Sequence, residues 1–340
     1  MKQLLTNCLL KAWYARHLTI LTAVLLPFSY LFQSIVYLRR WLYQRGFLSS
    51  YKIPVPVIVV GNITVGGTGK TPCVIALAEH FKKEGYRVGI VSRGYLPGKQ
   101  PQRLTPQRVT AHSKPEEVGD EPVLMATKTA CPVIVGSNRV AAAQMLYQEY
   151  QCNLIISDDG LQHYALQRDV EIALVDQQRG FGNGYCLPAG PLREPKDRLK
   201  SVNYVILNQT DTETEVLTPI IPVPMQLEPV AFYALSDGEE VTLQEGETIH
   251  AVAGIGNPQR FFTTLRKRGL QVIEHVFPDH YAFQAENICF KDNYKVVMTE
   301  KDAIKCKRLA KDGYVYLEVR AKLTTEFLVD LVAQIRRIEL

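Results

Sequence analysis

The chain has no CxxC pair and no Cys/His cluster at zinc spacing. Its seven cysteines (Cys8, Cys73, Cys131, Cys152, Cys186, Cys289 and Cys306) are scattered and odd in number. That excludes a disulfide scaffold and a zinc module, and it reads as reduced, mostly buried thiols of a cytoplasmic protein. Internal repeats and low-complexity tracts are also missing, so a solenoid array is excluded. A large excess of one sign of charge is missing too. The formal net charge of +5 falls well short of a nucleic-acid footprint and suits an anionic substrate or an anionic membrane surface. What is present is 340 residues, too many for one minimal core and enough for two ordinary domains. An apolar content of 46% makes a buried core attainable and excludes global disorder.

From residue 19 to residue 38 the chain runs without a charge. As a helix this segment is roughly 30 Å long, the thickness of a bilayer's hydrocarbon core. Arg16 and His17 precede it, and Arg39, Arg40, Trp41, Tyr43 and Arg45 follow, a basic and aromatic belt suited to headgroups. The run is too long for a signal h-region, and no A-x-A-like site follows it. A spanning helix, an interfacial helix and a buried helix of a soluble domain remain open. Pro27 would kink the helix, and Thr22, Ser29 and Gln33 form one narrow polar stripe, which suits a helix half immersed or packed on protein.

Residues 50–56 (SYKIPVP) form a proline-punctuated linker. After it, short apolar runs at 57–60, 88–91, 133–135, 154–157, 172–175 and 204–207 alternate with helical patterns at 72–84, 122–129 and 139–150. This alternation predicts a parallel α/β sheet covered on both faces. A stretch rich in Thr, Glu and Pro follows at 210–248 and reads as a strand-and-loop connection. A second α/β unit then begins at 249–253, with a helix at 258–268, strands at 271–276 and 295–298, and a last helix at 324–337. The expected layout is a membrane-associated helical segment (1–50), a P-loop NTPase-like core (51–210), a connection (211–248) and a smaller α/β unit closing a cleft (249–340).

The strongest motif is Thr64-Val65-Gly66-Gly67-Thr68-Gly69-Lys70-Thr71, between the first strand and a helix. That is the setting of a P-loop. Glycines let backbone N–H groups turn in around phosphate oxygens, and the helix N-terminus adds partial positive charge. Lys70 reaches the β- and γ-phosphates of ATP, and Thr71 offers its hydroxyl to Mg²⁺. Thr64 stands where the usual pattern opens with Gly. Pro72 falls in the first helical turn, where its missing N–H costs nothing.

Asp158 and Asp159 close an apolar strand, the place for a Walker-B-like Mg²⁺ partner. Adjacent carboxylates both ionise cheaply only beside a cation. Asp120 and Glu121 open a helix, and Asp120 serves there either as an N-cap or as a proton acceptor. Asp279-His280 lies in the second unit, either structural or sharing a proton with a carboxylate across the cleft. Arg93, in Ser92-Arg93-Gly94-Tyr95, and Arg193, ahead of Lys196, Arg198 and Lys200, read as solvated basic faces or as a clamp for a phosphate already on the substrate.

Taken together, GNITVGGTGKTP (61–72), VSRGY (91–95), VGDEP (118–122), VGSNR (135–139), ISDDGLQH (156–163), PAGPLREP (188–195), AGIGNPQRF (253–261), FPDHY (277–281) and MTEKDAIK (298–305) resemble the tetraacyldisaccharide 4′-kinases of lipid A synthesis. The opening Thr64 agrees with that family's own P-loop variant. The resemblance implies an ATP- and Mg²⁺-dependent enzyme at the cytoplasmic face of a bacterial inner membrane. Its partners would be membrane lipids and an acylated glucosamine disaccharide 1-phosphate, with no nucleic acid. It implies that Asp120 and His280 together activate the hydroxyl, and that Thr71, Glu121, Asp158 and Asp159 surround Mg²⁺ and the reacting phosphate. Arg193 and Asp302 are implied as site neighbours. The competing class is a membrane-associated P-loop ATPase or GTPase switch, with water as acceptor.

Overall fold

The computed structural model describes residues 2–15, 17–94, 105–209, 216 and 218–339. Arg16, Tyr95 and the opening of the expected 211–248 connection lie outside these residues. The chain starts with two helices, α1 (Lys2–Trp13) and α2 (Ile20–Gln44), and Pro27 lies inside α2 without ending it. The polar stripe of α2 is its protein-facing side. Thr22 and Ser29 are buried, and the Ser29 hydroxyl donates to the Cys186 carbonyl at 2.7 Å. Further along, Arg39 Nη1 donates to the Gln162 carbonyl at 3.0 Å and Arg40 Nη2 to Ser201 Oγ at 2.8 Å. The helix therefore lies along the body over much of its length. Its other side exposes Ile20, Val24, Phe28, Leu31, Ile35 and Leu38, a continuous apolar stripe at helical spacing.

Next come β1 (Val57–Gly61), α3 (Lys70–Lys83), β2 (Val88–Ser92), β3 (Gln107–Val109), the short α4 (Pro115–Val118), α5 (Asp120–Thr129), β4 (Val133–Val135), α6 (Arg139–Gln148), β5 (Leu154–Asp158), β6 (Val170–Asp176) and β7 (Tyr204–Asn208). Strand side chains alternate between two cores. Ile58, Val60, Leu154 and Ile156 face one core, with Val74, Leu77 and Phe81 of α3; Val57, Val59 and Ile155 face the other, with Ala142, Ala143 and Leu146 of α6. Both faces of β1 and β5 are thus covered, which explains their unbroken apolar sequence. The helix after the P-loop begins at Lys70, two residues before the expected start.

The connection, expected as strand and loop, holds two strands. It contributes β8 (Val223–Ala234), twelve residues long, and β9 (Glu240–Val241). The chain then continues as β10 (Thr248–Ala253), α7 (Pro258–Lys267), β11 (Gln271–Val276), α8 (Ala285–Ile288), β12 (Lys295–Thr299), α9 (Glu300–Cys306), β13 (Tyr314–Leu323) and α10 (Thr325–Glu339). The thirteen strands of the described residues join one sheet in the order β11-β10-β12-β13-β8-β7-β6-β1-β5-β2-β4-β3, with β9 beside β8.

The direction of pairing builds the cleft. β8 starts parallel to the end of β7, with Asn208 opposite Met225, and then runs on past it. β13 pairs antiparallel to β8, from Val315 opposite Ala234 to Leu323 opposite Met225. β10, β11 and β12 are parallel to β13. The carboxyl ends of the second set therefore point back at the carboxyl ends of β1, β5, β6 and β7. Ligand-binding loops follow the carboxyl ends of parallel strands, so both sets of loops open on one cleft.

Phe81 is fully buried and meets Tyr86 edge-on at 5.4 Å between ring centroids. Phe81→Ala should cost about 3–5 kcal/mol in chemical denaturation, as a cavity beneath the P-loop helix. A loss below about 1 kcal/mol would contradict this packing.

Candidate active site

The cleft encloses about 970 Å³ and is lined by residues from both halves, together with Phe32, Ile35, Val36 and Arg39 of α2. Gly66 through Thr71 form its floor. Gly66 and Gly69 take φ of +101° and +89°, values that glycine adopts without steric cost. A Cβ at Gly69 would stand 2.7 Å from Asn208 Nδ2, and that amide donates to the Thr68 carbonyl at 3.1 Å. No side chain caps the start of α3, so its first amides stay available to an anion. Thr64 and Val65, expected with the nucleotide, are placed elsewhere. Val65 N–H donates to the Pro191 carbonyl at 2.8 Å and Thr64 bridges to Leu192, so these two residues brace the loop from behind.

Asp158 ends β5 fully buried. Ser92 Oγ donates to its Oδ2 at 2.9 Å, while its Oδ1 has no hydrogen-bond partner. Burial, reinforced by the negative charges of Glu121 and Asp159, pushes its pKa up to about 7. Asp159 turns the other way, with φ of +49°, an uncommon conformation for a residue bearing a Cβ. It accepts both bonds of Arg193 Nη1, at 2.9 and 3.1 Å, and lies 3.5 Å from Lys70 Nζ. Burial works against its charge, but Lys70 and Arg193 outweigh it and hold the carboxyl well below the usual range. Two adjacent aspartates thus have opposite characters. Asp159, expected among the catalytic groups, lines the cleft paired with Lys70 and Arg193.

Across the cleft, His280 Nδ1 lies 3.1 Å from each oxygen of Asp120. The two residues are 160 positions apart in sequence. Asp120 opens α5 from the first half, and His280 sits in the loop after β11, itself left-handed with φ of +59°. Burial raises the Asp120 pKa, but the His280 hydrogen bond and the charges of Lys301 and Lys305 prevail and hold it at about 2. For His280, burial disfavours the imidazolium, and the Asp120 hydrogen bond overrides it, leaving the pKa above its ordinary value.

Arg93 and Arg193 both line the cleft, and Arg193 is engaged by Asp159. Asp302 does not reach it. Fully buried, it accepts from the Gly254 amide at 2.9 Å and the Thr299 hydroxyl at 2.7 Å, and it pairs with Lys305 at 2.7 Å. Thr299 caps α9 by accepting from the Asp302 amide, which turns Asp302 inward and leaves Lys301 facing the cleft. Lys301, Asp176, Asn208 and Gly256 went unnoticed in the sequence. The signal for Asp176 and Asn208 was a polar residue ending an apolar strand. Gly256 gave no such signal, yet a Cβ there would stand 2.8 Å from the Gly67 amide, so the second half touches the P-loop itself.

The profile of the family described as tetraacyldisaccharide-1-P 4′-kinase matches residues 21–336. The chain is 46% identical over 324 residues to the tetraacyldisaccharide 4′-kinase of Nitrosococcus oceani, covering 95% of this chain and 92% of that one. It is 49% identical over 300 residues to the protein of the same name from Alkalilimnicola ehrlichii, covering 87% of each. The crystal structure of LpxK from Aquifex aeolicus in complex with ATP superposes with a TM-score of 0.79 at 34% identity, covering 94% of this chain and all of the other. With the profile matched across nearly its whole length, the chain belongs to the tetraacyldisaccharide-1-P 4′-kinase family.

Proposed function

We propose that this ATP-dependent kinase of lipid A biosynthesis transfers the γ-phosphate of ATP to the 4′-hydroxyl of an acylated glucosamine disaccharide 1-phosphate, with Asp120 and His280 activating that hydroxyl. The observation that carries the reading is the 3.1 Å contact between His280 Nδ1 and Asp120, facing the P-loop across one cleft. Nδ1–H donates to the carboxylate, so Nε2 is the proton acceptor. The hydroxyl oxygen bonds to the γ-phosphorus, the bond from that phosphorus to the bridging oxygen of ADP breaks, and the hydroxyl proton passes to Nε2. Lys70 and the amides of residues 66–71 hold the phosphates, and Asp159 keeps Lys70 and Arg193 in place. Most of the rate comes from positioning and charge neutralisation, with the base adding roughly 10²–10⁴-fold.

Mg²⁺ fits the donor set. Among the described residues no three acid, His or Cys side chains converge on a metal cage. Mg²⁺ in kinases does not require one, because phosphate and water fill most of its octahedron. The partnerless Asp158 Oδ1 and the raised pKa of that group mark a spot with too much negative charge for its cations. Thr71 and Asp158 would hold the ion, with Glu121 beside them. When bound, it neutralises charge on the β- and γ-phosphate oxygens.

The membrane reading follows from α2. Its protein-facing side is fixed to the body, so the exposed apolar stripe is suited to lying in the bilayer interface. Phe32, Ile35, Val36 and Arg39 of the same helix form a wall of the cleft, giving acyl chains a route along α2 to the site. We place the enzyme at the cytoplasmic face of the bacterial inner membrane, where ATP is supplied.

The direct test supplies ATP radiolabelled at the γ-phosphate, Mg²⁺ and the disaccharide 1-phosphate in mixed micelles. Label should appear in the glycolipid; free phosphate as the sole product would overturn the reading in favour of a switch. Lys70→Ala, Asp120→Ala and His280→Ala should each lower kcat by roughly 10²–10⁴-fold in folded protein, and near-normal kcat in Asp120→Ala would remove the base assignment. Because the neutral imidazole is the base and Asp120 raises its pKa, kcat/KM should rise with pH through that pKa. Asp120→Asn should move the rising limb to lower pH, and an unmoved limb would contradict the pair. The double variant Phe28→Asp, Leu31→Asp should release the protein from liposomes while ATP binding persists; unchanged flotation would refute the role of α2.

A further inference from the structure

We propose that Lys301 is a positioning residue for the base, acting through His280 rather than on the nucleotide. The inference rests on the assignment of His280 above. Lys301 Nζ lies 3.0 Å from Glu121 Oε1, 3.2 Å from Asp279 Oδ1, 3.4 Å from His280 Nε2 and 3.9 Å from Asp120 Oδ2. These groups come from two separate places. Glu121 and Asp120 open α5 in the first half, whereas Asp279 and His280 sit in the loop after β11. An ammonium has three donors pointing in three directions, and here the three nearest acceptors belong to both sides of the cleft.

Two consequences follow. An ammonium beside Nε2 is met by a lone pair, which puts the ring proton on Nδ1, toward Asp120. Both neighbours of the ring therefore select the one tautomer in which Nε2 can accept a proton. Second, His280 takes a left-handed backbone conformation that a residue bearing a Cβ adopts only when its surroundings impose it. Lys301 supplies part of that hold by tying the loop, through Asp279, to Glu121. It also separates three carboxylates that would otherwise repel one another. The other nearby cation, Lys305, cannot replace it. Lys305 is 4.0 Å from Asp120 but is engaged by Asp302 at 2.7 Å. Without Lys301 the loop should drift from Asp120, and misplacement of about 1 Å can cost 10²-fold in rate.

The test is a double-mutant cycle on the full-length enzyme in mixed micelles, with melting temperatures measured alongside. Lys301→Met should lower kcat by roughly 10–100-fold while KM for ATP stays within about twofold. Lys301→Gln, which keeps a donor but no charge, should fall between it and the parent enzyme; it replaces the Met variant in the cycle if that one melts below assay temperature. In the His280→Ala background, Lys301→Met should change kcat by less than about threefold, because its effect passes through the missing ring. Multiplicative losses in that background would overturn the proposal. So would raised KM for ATP at unchanged kcat, the mark of a residue that grips the nucleotide. If His280→Ala alone keeps near-parental kcat, the base assignment itself fails, and that result is distinct from a null effect of Lys301→Met in an enzyme that needs His280.

Discussion

The contact between His280 Nδ1 and the Asp120 carboxylate, 3.1 Å across a sequence gap of 160 residues, is what the rest of this architecture serves. It exists because β8 overshoots β7 and β13 pairs with it in reverse. Had β13 added in parallel, the loops of the second half would open away from the P-loop, and His280 could not face Asp120. One antiparallel seam in an otherwise largely parallel sheet therefore turns two sets of carboxyl-end loops toward each other.

The electrostatics follow the same logic. Glu121, Asp158 and Asp159 line the cleft while Asp120 is buried beside it against His280, and burying these four charges is costly unless each is paired. Three have cations or an imidazole: Asp120 has His280, Asp159 has Lys70 and Arg193, and Glu121 has Lys301. Asp158 accepts a hydrogen bond only from the Ser92 hydroxyl, and its burial, with the charges of Glu121 and Asp159, outweighs Lys70 and raises its pKa. The imbalance falls beside the P-loop, the place where nucleotide brings its cation. Strain is distributed in the same way, since both Asp159 and His280 bend left-handed to aim their side chains.

Much of the first half could be read directly from its residues. The β-branched runs at 57–60 and 154–157 declare strands buried on both faces, and Gly-Thr-Gly-Lys-Thr between strand and helix declares a phosphate loop. The polar stripe of Thr22 and Ser29 suits a helix half immersed or packed on protein, and in the structure it packs on the body of the protein. Less legible were features that depend on distant pairing. β8, with two prolines and one glutamate in twelve residues, reads as a connecting strand because proline argues against a place within a sheet. Asp302 is implied only by the resemblance, and helix phase, set by the Thr299 cap, decides that its neighbour Lys301 is the one that sees the cleft. Thr64 and Val65 belong to the motif by sequence, but their backbone is spent on the loop at Pro191 and Leu192.

The most direct measurement is a structure with a non-hydrolysable ATP analogue and Mg²⁺. The account predicts the triphosphate along the amides of residues 66–71, with His280 Nε2 aimed at the open side of the γ-phosphorus and room for a single hydroxyl between them. A triphosphate lying outside that loop, or a γ-phosphorus whose open side faces away from His280, would contradict it.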